Sequence, residues 1–234
     1  TILAYFTVRV DFPEDEVEAG TYQVRLNLHF DDDNTPDHYI VIEEGGAEHE
    51  LFIPSGSETG LKLNHSIVVP ANGNADYTID FDVRQSVVLR GNAQTNNGYL
   101  LKPVLRLIDN TQAGTISGTI DDTTLLTTNC SDDDPLTHNV IYVFEGDVTP
   151  DDYESGSEGV QAVTTAMVKL DDDSGEYSYT TAPLSAGEYT IAFTCNADLE
   201  DLESGDDELD FKAIETVTVV AAESEPEEES PVEE

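Results

Sequence analysis

The chain has 234 residues, of which 50 are Asp or Glu and 9 are Lys or Arg, giving a formal net charge of -41. A protein of this charge repels nucleic acids and anionic lipid surfaces, so both are excluded as partners and cations are its natural counterpart. Apolar residues make up 38% of the chain and fall in alternating runs, which predicts folded cores beneath an acidic surface.

The first half of the chain reads as a series of strands with a period of two. Residues 1–12 place one face of a half-buried strand at Ile2, Ala4, Phe6, Val8 and Val10. Residues 22–30 repeat the alternation, with Tyr22, Val24 and Leu26 on one face. Further strands are predicted, each bounded by Gly, Pro, Asn or Asp, at 39–42, 50–53, 61–69, 75–83 and 99–108.

The second half continues the pattern without a helical stripe of ten residues or more. Strands are predicted at 114–120, 139–145, 161–170, 176–180, 188–195 and 212–220. Short, evenly spaced strands indicate an all-β protein of two consecutive β-sandwich domains, Ig-like or transthyretin-like. The predicted domains are residues 1–112 and 113–222, followed by an acidic tail at 223–234 that composition marks as disordered.

A short echo links the two halves. The sequence AGTY at 19–22 and the sequence AGEY at 186–189 each lead into a strand. Glycine suits the turn and the tyrosine begins the buried face, so the echo predicts a shared structural device without functional meaning.

The chain has two cysteines, Cys130 and Cys195, and no CxxC or Cys/His cluster suited to zinc or redox chemistry. This favours a structural disulfide, which places the protein outside the cytosol. The chain has no apolar run of the roughly 18 residues that span a membrane and no basic signal-peptide region, so it resembles a processed product.

Catalysis is not indicated, because the five histidines stand in no nucleophile motif and an Asp/Glu pair is uninformative among 50 acids. We therefore expect no enzyme. Calcium is the one cofactor that the sequence favours, since it takes six to eight oxygen ligands. The candidate ligands lie in two acidic clusters, at Asp132, Asp133, Asp134, Asp198, Asp201, Asp206 and Asp207. Clusters at 31–34 and 171–173 also qualify, and a solvated acidic turn is the alternative for each.

Charged residues also alternate along one predicted strand, where Ile79, Phe81 and Val83 point inward while Asp80, Asp82 and Arg84 point outward. Lys102 and Arg106 recur at the matching spacing in a later strand, which predicts a cross-strand charge ladder. A structural role is favoured over a ligand-binding face.

The first half of the chain contains three ordered blocks: IPSGSETGLKL at 53–63, DFDVRQS at 80–86 and LKPVLR at 101–106. Together they resemble domain-of-unknown-function family 4382 of bacterial envelope proteins and lipoproteins. The resemblance covers residues 14–110. The sequence GTISGTI at 114–120 resembles the first strand of carboxypeptidase-regulatory-like or transthyretin-like sandwiches. The family implies a surface location and a sandwich, and it brings no catalytic residues.

Family members carry additional strands ahead of the segment that residues 14–26 resemble, and here only residues 1–12 precede it. Either the chain is cleaved or another copy supplies the missing strands. The first hypothesis is therefore an extracellular or cell-surface structural protein, a fibre subunit that assembles with copies of itself by strand complementation. The alternative is a monomeric surface lipoprotein fragment that binds a glycan or other ligand through its loops.

Overall fold

The structure is a computed structural model. It describes residues 2–5, 17–28, 38–42, 47–54, 61–71, 75–92, 95–121, 138–152, 160–171, 173–200 and 209–221. The predicted acidic tail and most of the predicted calcium ligands lie outside these ranges.

The described residues are nearly all in strands, which confirms the all-β class. Before residue 112 the strands are β1 (Ile2–Tyr5), β2 (Gly20–Leu26), β3 (Tyr39–Ile42), β4 (Ala47–Phe52), β5 (Leu61–Val69), β6 (Tyr77–Phe81), β7 (Val87–Asn92), β8 (Thr95–Leu101) and β9 (Leu105–Asp109). A single helical turn, α1 (Val83–Ser86), separates β6 from β7, and a 3-10 turn follows at Asn110–Gln112.

The second half contains β10 (Ala113–Gly114), β11 (Ser117–Ile120), β12 (Val140–Glu145), β13 (Ala162–Met167), β14 (Lys169–Leu170), β15 (Tyr177–Thr180), β16 (Leu184–Ser185), β17 (Gly187–Thr194) and β18 (Lys212–Val219). A 3-10 turn at Ala197–Leu199 follows β17. Most of these bounds agree with the predicted runs, but the runs predicted at 114–120 and 161–170 are each divided into two strands, and β16 was not predicted.

The first sandwich, formed by the described residues up to 109, is built around one five-stranded sheet in the order β1-β3-β4-β8-β7. Strands β4 and β8 are parallel, whereas the other neighbours in this sheet are antiparallel. The pairs β2–β5 and β6–β9 cover it, and the core between them is formed by Leu26, Ile40, Leu51, Leu61, Leu63, Tyr99 and Leu101. Alternation explains this arrangement, since β2 buries Leu26 and exposes Gln23 and Arg25.

The second sandwich, formed by the described residues from 113 to 221, packs the sheet β13-β12-β17-β18 on the sheet β11-β15-β14. Strand β12 is buried on both faces, which is why its sequence is a continuous apolar run rather than an alternating one. Ile141 and Val143 face the core between the sheets. Tyr142 and Phe144 face a second cluster, where Phe211 packs edge-on against both rings.

The clusters of buried residues fall on either side of residue 112. The first sandwich has its own core, and the second has a core between its sheets and a further cluster outside the four-stranded sheet. This division agrees with the predicted domain boundary at 112, which stays a prediction.

Three local predictions in the first half of the chain also need correction. The strand predicted at 75–83 ends at Phe81, because Asp82 caps α1 by accepting a hydrogen bond from Gln85 N at 3.0 Å, and Asp82 is buried rather than outward-facing. The strand predicted at 99–108 is broken between Leu101 and Leu105, where Pro103 has no N–H for a ladder. Strand β7 was not predicted.

The AGTY and AGEY echo is a matched pair of tyrosine corners. The hydroxyl of Tyr22 donates to the carbonyl of Glu18 at 2.6 Å, and that of Tyr189 donates to the carbonyl of Ser185 at 2.9 Å. In each case the tyrosine bonds back four residues upstream, a device common in sandwich folds. The chain therefore fixes the entry into β2 and the entry into β17 in the same way.

Candidate functional site

The predicted assembly strand is represented in the structure by β1. Ile2 and Ala4 lie in β1, whereas Phe6, Val8 and Val10 lie outside the described residues. Strand β1 pairs antiparallel with β3 of the same chain in an unbroken register that runs from Ile2 opposite Ile42 to Tyr5 opposite Tyr39. Among the described strands, β1 is at the edge of its sheet.

The other edges of the two larger sheets are irregular. The pairing of β7 with β8 shifts register between Leu89 and Gly91. The pairing of β13 with β12 shifts at Val143, and the pairing of β18 with β17 shifts at Ile191. Strand β18 also contains Ala213 at a φ of 46°, and it begins with Lys212. Bulges and lysines protect a sheet edge from pairing with another chain, so β1 is the one regular edge strand of these sheets within the described residues.

Strand β1 also covers a buried neighbour. Ile40 in β3 has no exposed surface, and it lies in the core with Leu51 and Leu101. Removing β1 would leave the backbone edge of β3 unpaired beside this core.

The predicted calcium ligands are not brought together by the described part of the structure. Asp198 lies in the 3-10 turn after β17, and the remaining six lie outside the described residues. Within those residues, no group of three or more His, Cys, Asp or Glu side chains could hold a metal ion. The calcium site therefore stays a prediction.

The candidate cluster at 171–173 has a structural role at its first member. The carboxylate of Asp171 accepts hydrogen bonds from the N–H groups of Ser174 and Asp173, at 2.8 and 3.0 Å. These bonds, that from Ser174 first, lower the pKa of Asp171 below its ordinary value. Asp171 thus fixes the turn between β14 and β15.

Cys195 follows β17 and lies in the core of the second sandwich at 5% exposure. It is not a free thiol in the structure. Its predicted partner Cys130 lies outside the described residues, so the Cys130–Cys195 pairing stays a prediction.

The predicted charge ladder is present as one pair. Asp80 in β6 lies directly opposite Arg106 in β9, and the guanidinium binds the Asp80 carboxylate through Nη2 and, at 3.0 Å, through Nε. Arg84 and Lys102 are not in the ladder, because Arg84 lies in α1 and Lys102 lies in the break between β8 and β9.

The Asp80–Arg106 pair also reaches the second sandwich. Thr164 in β13 donates its hydroxyl to Asp80 at 3.3 Å, and Arg106 Nη2 lies 3.5 Å from the carbonyl of Pro183. Sequence reasoning missed these two partners, because neither lies in a strand that pairs with β6 or β9.

A surface groove of about 280 Å³ lies beside β6 and β9. Its apolar wall includes Val68, which is 56% exposed, and Tyr77. Its polar wall includes Asp76 and Asp109, whose Oδ1 atoms accept hydrogen bonds from Asn110 and Thr111 respectively. The groove thus combines oriented carboxylates with an exposed apolar surface.

Part of the chain matches a known protein family. Residues 4–103 match the family described as Domain of unknown function (DUF4382). This match supports the resemblance of the three sequence blocks to that family. The match begins at residue 4 rather than at residue 14, and it ends at 103 rather than at 110. The match does not reach residues 114–120, so the transthyretin-like resemblance is left as a proposal.

No curated protein and no solved structure matched the chain. The described part of the chain contains no helix with the length and apolar character needed to cross a membrane.

Proposed function

We propose that this chain is a non-enzymatic structural subunit of the bacterial cell surface, assembled into a fibre by exchange of β1 between copies. The observation that carries the proposal is the regular pairing of β1 at a sheet edge whose counterparts are irregular. A short edge strand in this position can leave its own sheet and enter that of a neighbour.

Strand exchange retains the contacts of the closed chain. A β1 strand from another copy would meet β3 in the same register, with Leu3 opposite Val41 and Ala4 opposite Ile40. The strand pairing along β3 is then the same, and the cost is the entropy of association. Each copy donates one strand and receives one, so a head-to-tail chain of copies grows without closing.

The surface location is supported by three observations. Cys195 is buried and is not a free thiol, which fits an oxidising compartment. The net charge of -41 suits an exposed surface. The match to DUF4382 covers residues 4–103, which is most of the sandwich that contains β1, and the sequence blocks resemble this family of bacterial envelope proteins. We further propose that the second sandwich is of the carboxypeptidase-regulatory-like or transthyretin-like type, with β11 as its first long strand.

Cysteine cross-linking across the β1–β3 pair tests the exchange. Two single variants, Leu3→Cys and Val41→Cys, are purified separately, mixed at high concentration and joined by a short thiol cross-linker. Strand exchange predicts covalent dimers that contain one copy of each variant, because the two positions are direct partners. In the variant that carries both cysteines, cross-linking at high protein concentration should give multimers. Cross-linking at low protein concentration should instead give monomers with an internal link.

The matched control is the Arg25→Cys and Lys62→Cys pair. These positions are also direct partners, in β2 and β5, and both side chains are exposed. In the proposed fibre, β2 and β5 stay paired within one copy and do not exchange. A mixture of the two single variants should therefore give no mixed dimers above background. Equal yields from the two mixtures, or uniform single particles in electron micrographs of concentrated protein, would remove the fibre proposal.

The second candidate is a monomeric ligand-binding surface protein, and the groove beside β6 and β9 favours it. Oriented carboxylates accept hydrogen bonds from hydroxyl groups, and the apolar wall suits the C–H face of a sugar. A neutral glycan is also not repelled by the charge of the protein. Titration with neutral oligosaccharides tests this function, and Asp109→Asn should weaken the binding. An absence of binding in the intact chain would remove this candidate.

A further inference from the structure

The contacts between the two sandwiches form an interdomain lock, defined by Asp80, Gln85, Arg106, Thr164 and their backbone acceptors at Ala162 and Pro183. The Asp80 carboxylate is its centre, since it accepts from Arg106 in its own sandwich and from Thr164 in the other. The Arg106 side chain is 22% exposed and that of Asp80 is 15% exposed, so water competes only partly for these bonds.

The helical turn α1 adds a second contact. Asp82 caps α1, and the Ser86 hydroxyl donates to the Asp82 carbonyl and accepts from Val104 N at 2.8 Å. These bonds hold α1 against the segment before β9. Gln85, which is buried, then extends its amide to 3.5 Å from the carbonyl of Ala162 in the second sandwich. The turn α1, which separates β6 from β7, thus places the Gln85 side chain against the neighbouring sandwich.

A third contact follows the connection between the two units. The N–H of Ala186 donates to the carbonyl of Gln112 at 2.9 Å, and Ala113 and Gly114 pair with Ser185 and Leu184. The residues that leave the first sandwich are therefore bonded to the second along the segment that includes Pro183. The two contacts between the sandwiches and this bonded connection together restrict rotation of one sandwich relative to the other.

We infer that the two sandwiches unfold as one cooperative unit and that the Asp80–Arg106 pair sets this coupling. Arg106 is one of only 9 Lys and Arg residues in a chain with 50 acids. Without its guanidinium, the Asp80 carboxylate keeps only the Thr164 hydroxyl among these contacts and faces the repulsion of a strongly acidic second sandwich. The inference does not depend on fibre assembly.

Calorimetry of the full chain tests the lock. The wild-type protein should give one unfolding transition whose calorimetric and van't Hoff enthalpies agree. Arg106→Met should resolve two transitions, and exchange of the Ala186 amide with deuterium should accelerate. Thr164→Val removes only one hydrogen bond to Asp80, so its effect should be smaller than that of Arg106→Met. The single transition should broaden, or it should divide into two transitions whose midpoints lie closer together.

The matched control is Lys212→Met, which removes a cation bound to Asp210 inside the second sandwich alone. It should lower the transition temperature without resolving two transitions. Two transitions in the wild-type protein would overturn the inference. A single transition in both Arg106→Met and Thr164→Val, with Ala186 exchange unchanged, would overturn it equally.

Discussion

Gly118 in β11 lies directly opposite Tyr179 in β15, and a single added methyl group there tests the packing of the second sandwich. A Cβ at position 118 would lie 2.7 Å from the tyrosine hydroxyl oxygen, 2.9 Å from Cζ and 3.0 Å from Cε1. Carbon atoms in contact prefer about 3.5–4.0 Å, so the ring must move by roughly 0.5–1 Å. Tyr179 is 8% exposed and packs in the core, which opposes that movement.

Two opposing terms set the magnitude of Gly118→Ala. Overpacking a core costs about 1–3 kcal/mol, whereas replacing glycine in a strand contributes about 0.5–1 kcal/mol through backbone entropy. We therefore expect Gly118→Ala to lower the free energy of unfolding by about 1 kcal/mol, within the limits of about 0–2.5 kcal/mol that the two terms allow. Thermal unfolding followed by circular dichroism measures the change.

The sign should reverse when the ring is removed. In the Tyr179→Val background the overpacking term disappears, and Gly118→Ala should raise the free energy of unfolding by about 0.5–1 kcal/mol. Thr119→Ala, at an exposed neighbouring position, should change it by less than about 0.5 kcal/mol. An effect of the same sign in both backgrounds would show that the glycine does not make room for the ring.

Four further outcomes are expected. Tyr189→Phe should lower the free energy of unfolding by about 1 kcal/mol, and Tyr22→Phe by less, because the corner at Tyr189 is the more buried; urea unfolding compares them. Burial raises the pKa of Tyr179 and that of Tyr189. The stability that these two side chains contribute is therefore present below about pH 10 and is lost as the pH rises through the raised values. Alkaline titration followed by tyrosinate absorbance should show their ionisation together with unfolding. Mass spectrometry of unreduced peptides should find Cys130 joined to Cys195, and two alkylated thiols in native protein would contradict the disulfide. Millimolar calcium should raise the unfolding temperature to a plateau that sodium chloride does not reproduce, and equal effects of the two salts would leave the acidic loops as a solvated surface.

Local patterns predicted most strands because burial on one face imposes a period of two. The alternation of β2 and the apolar run of β12 both follow from which faces the sandwiches bury. The turn α1 has no such pattern. It depends on the cap from Asp82 and on the hydrogen bond that Val104 N donates to the Ser86 hydroxyl, 18 residues away.

The same limit applies to the interdomain lock. Asp80 and Arg106 were predictable as a cross-strand pair, because matched two-residue spacing reports register within one sheet. The bond from Thr164 to Asp80 joins residues 84 positions apart in different sandwiches, and no local spacing reports it. Contacts between the two sandwiches can therefore be identified only from the three-dimensional structure.

The parallel pairing of β4 with β8 has a consequence for the order of folding. These strands cannot form a hairpin, and β5, β6, α1 and β7 lie between them in the chain. Contacts so distant in sequence form slowly, because the chain must lose the entropy of loop closure before the contacts contribute any stabilisation. While the central strands assemble, the strand exchange proposed above would let β3 pair with β1 of the same copy or of another. In the proposed fibre, the local concentration of competing strands during folding would therefore set the share of intramolecular and exchanged pairing.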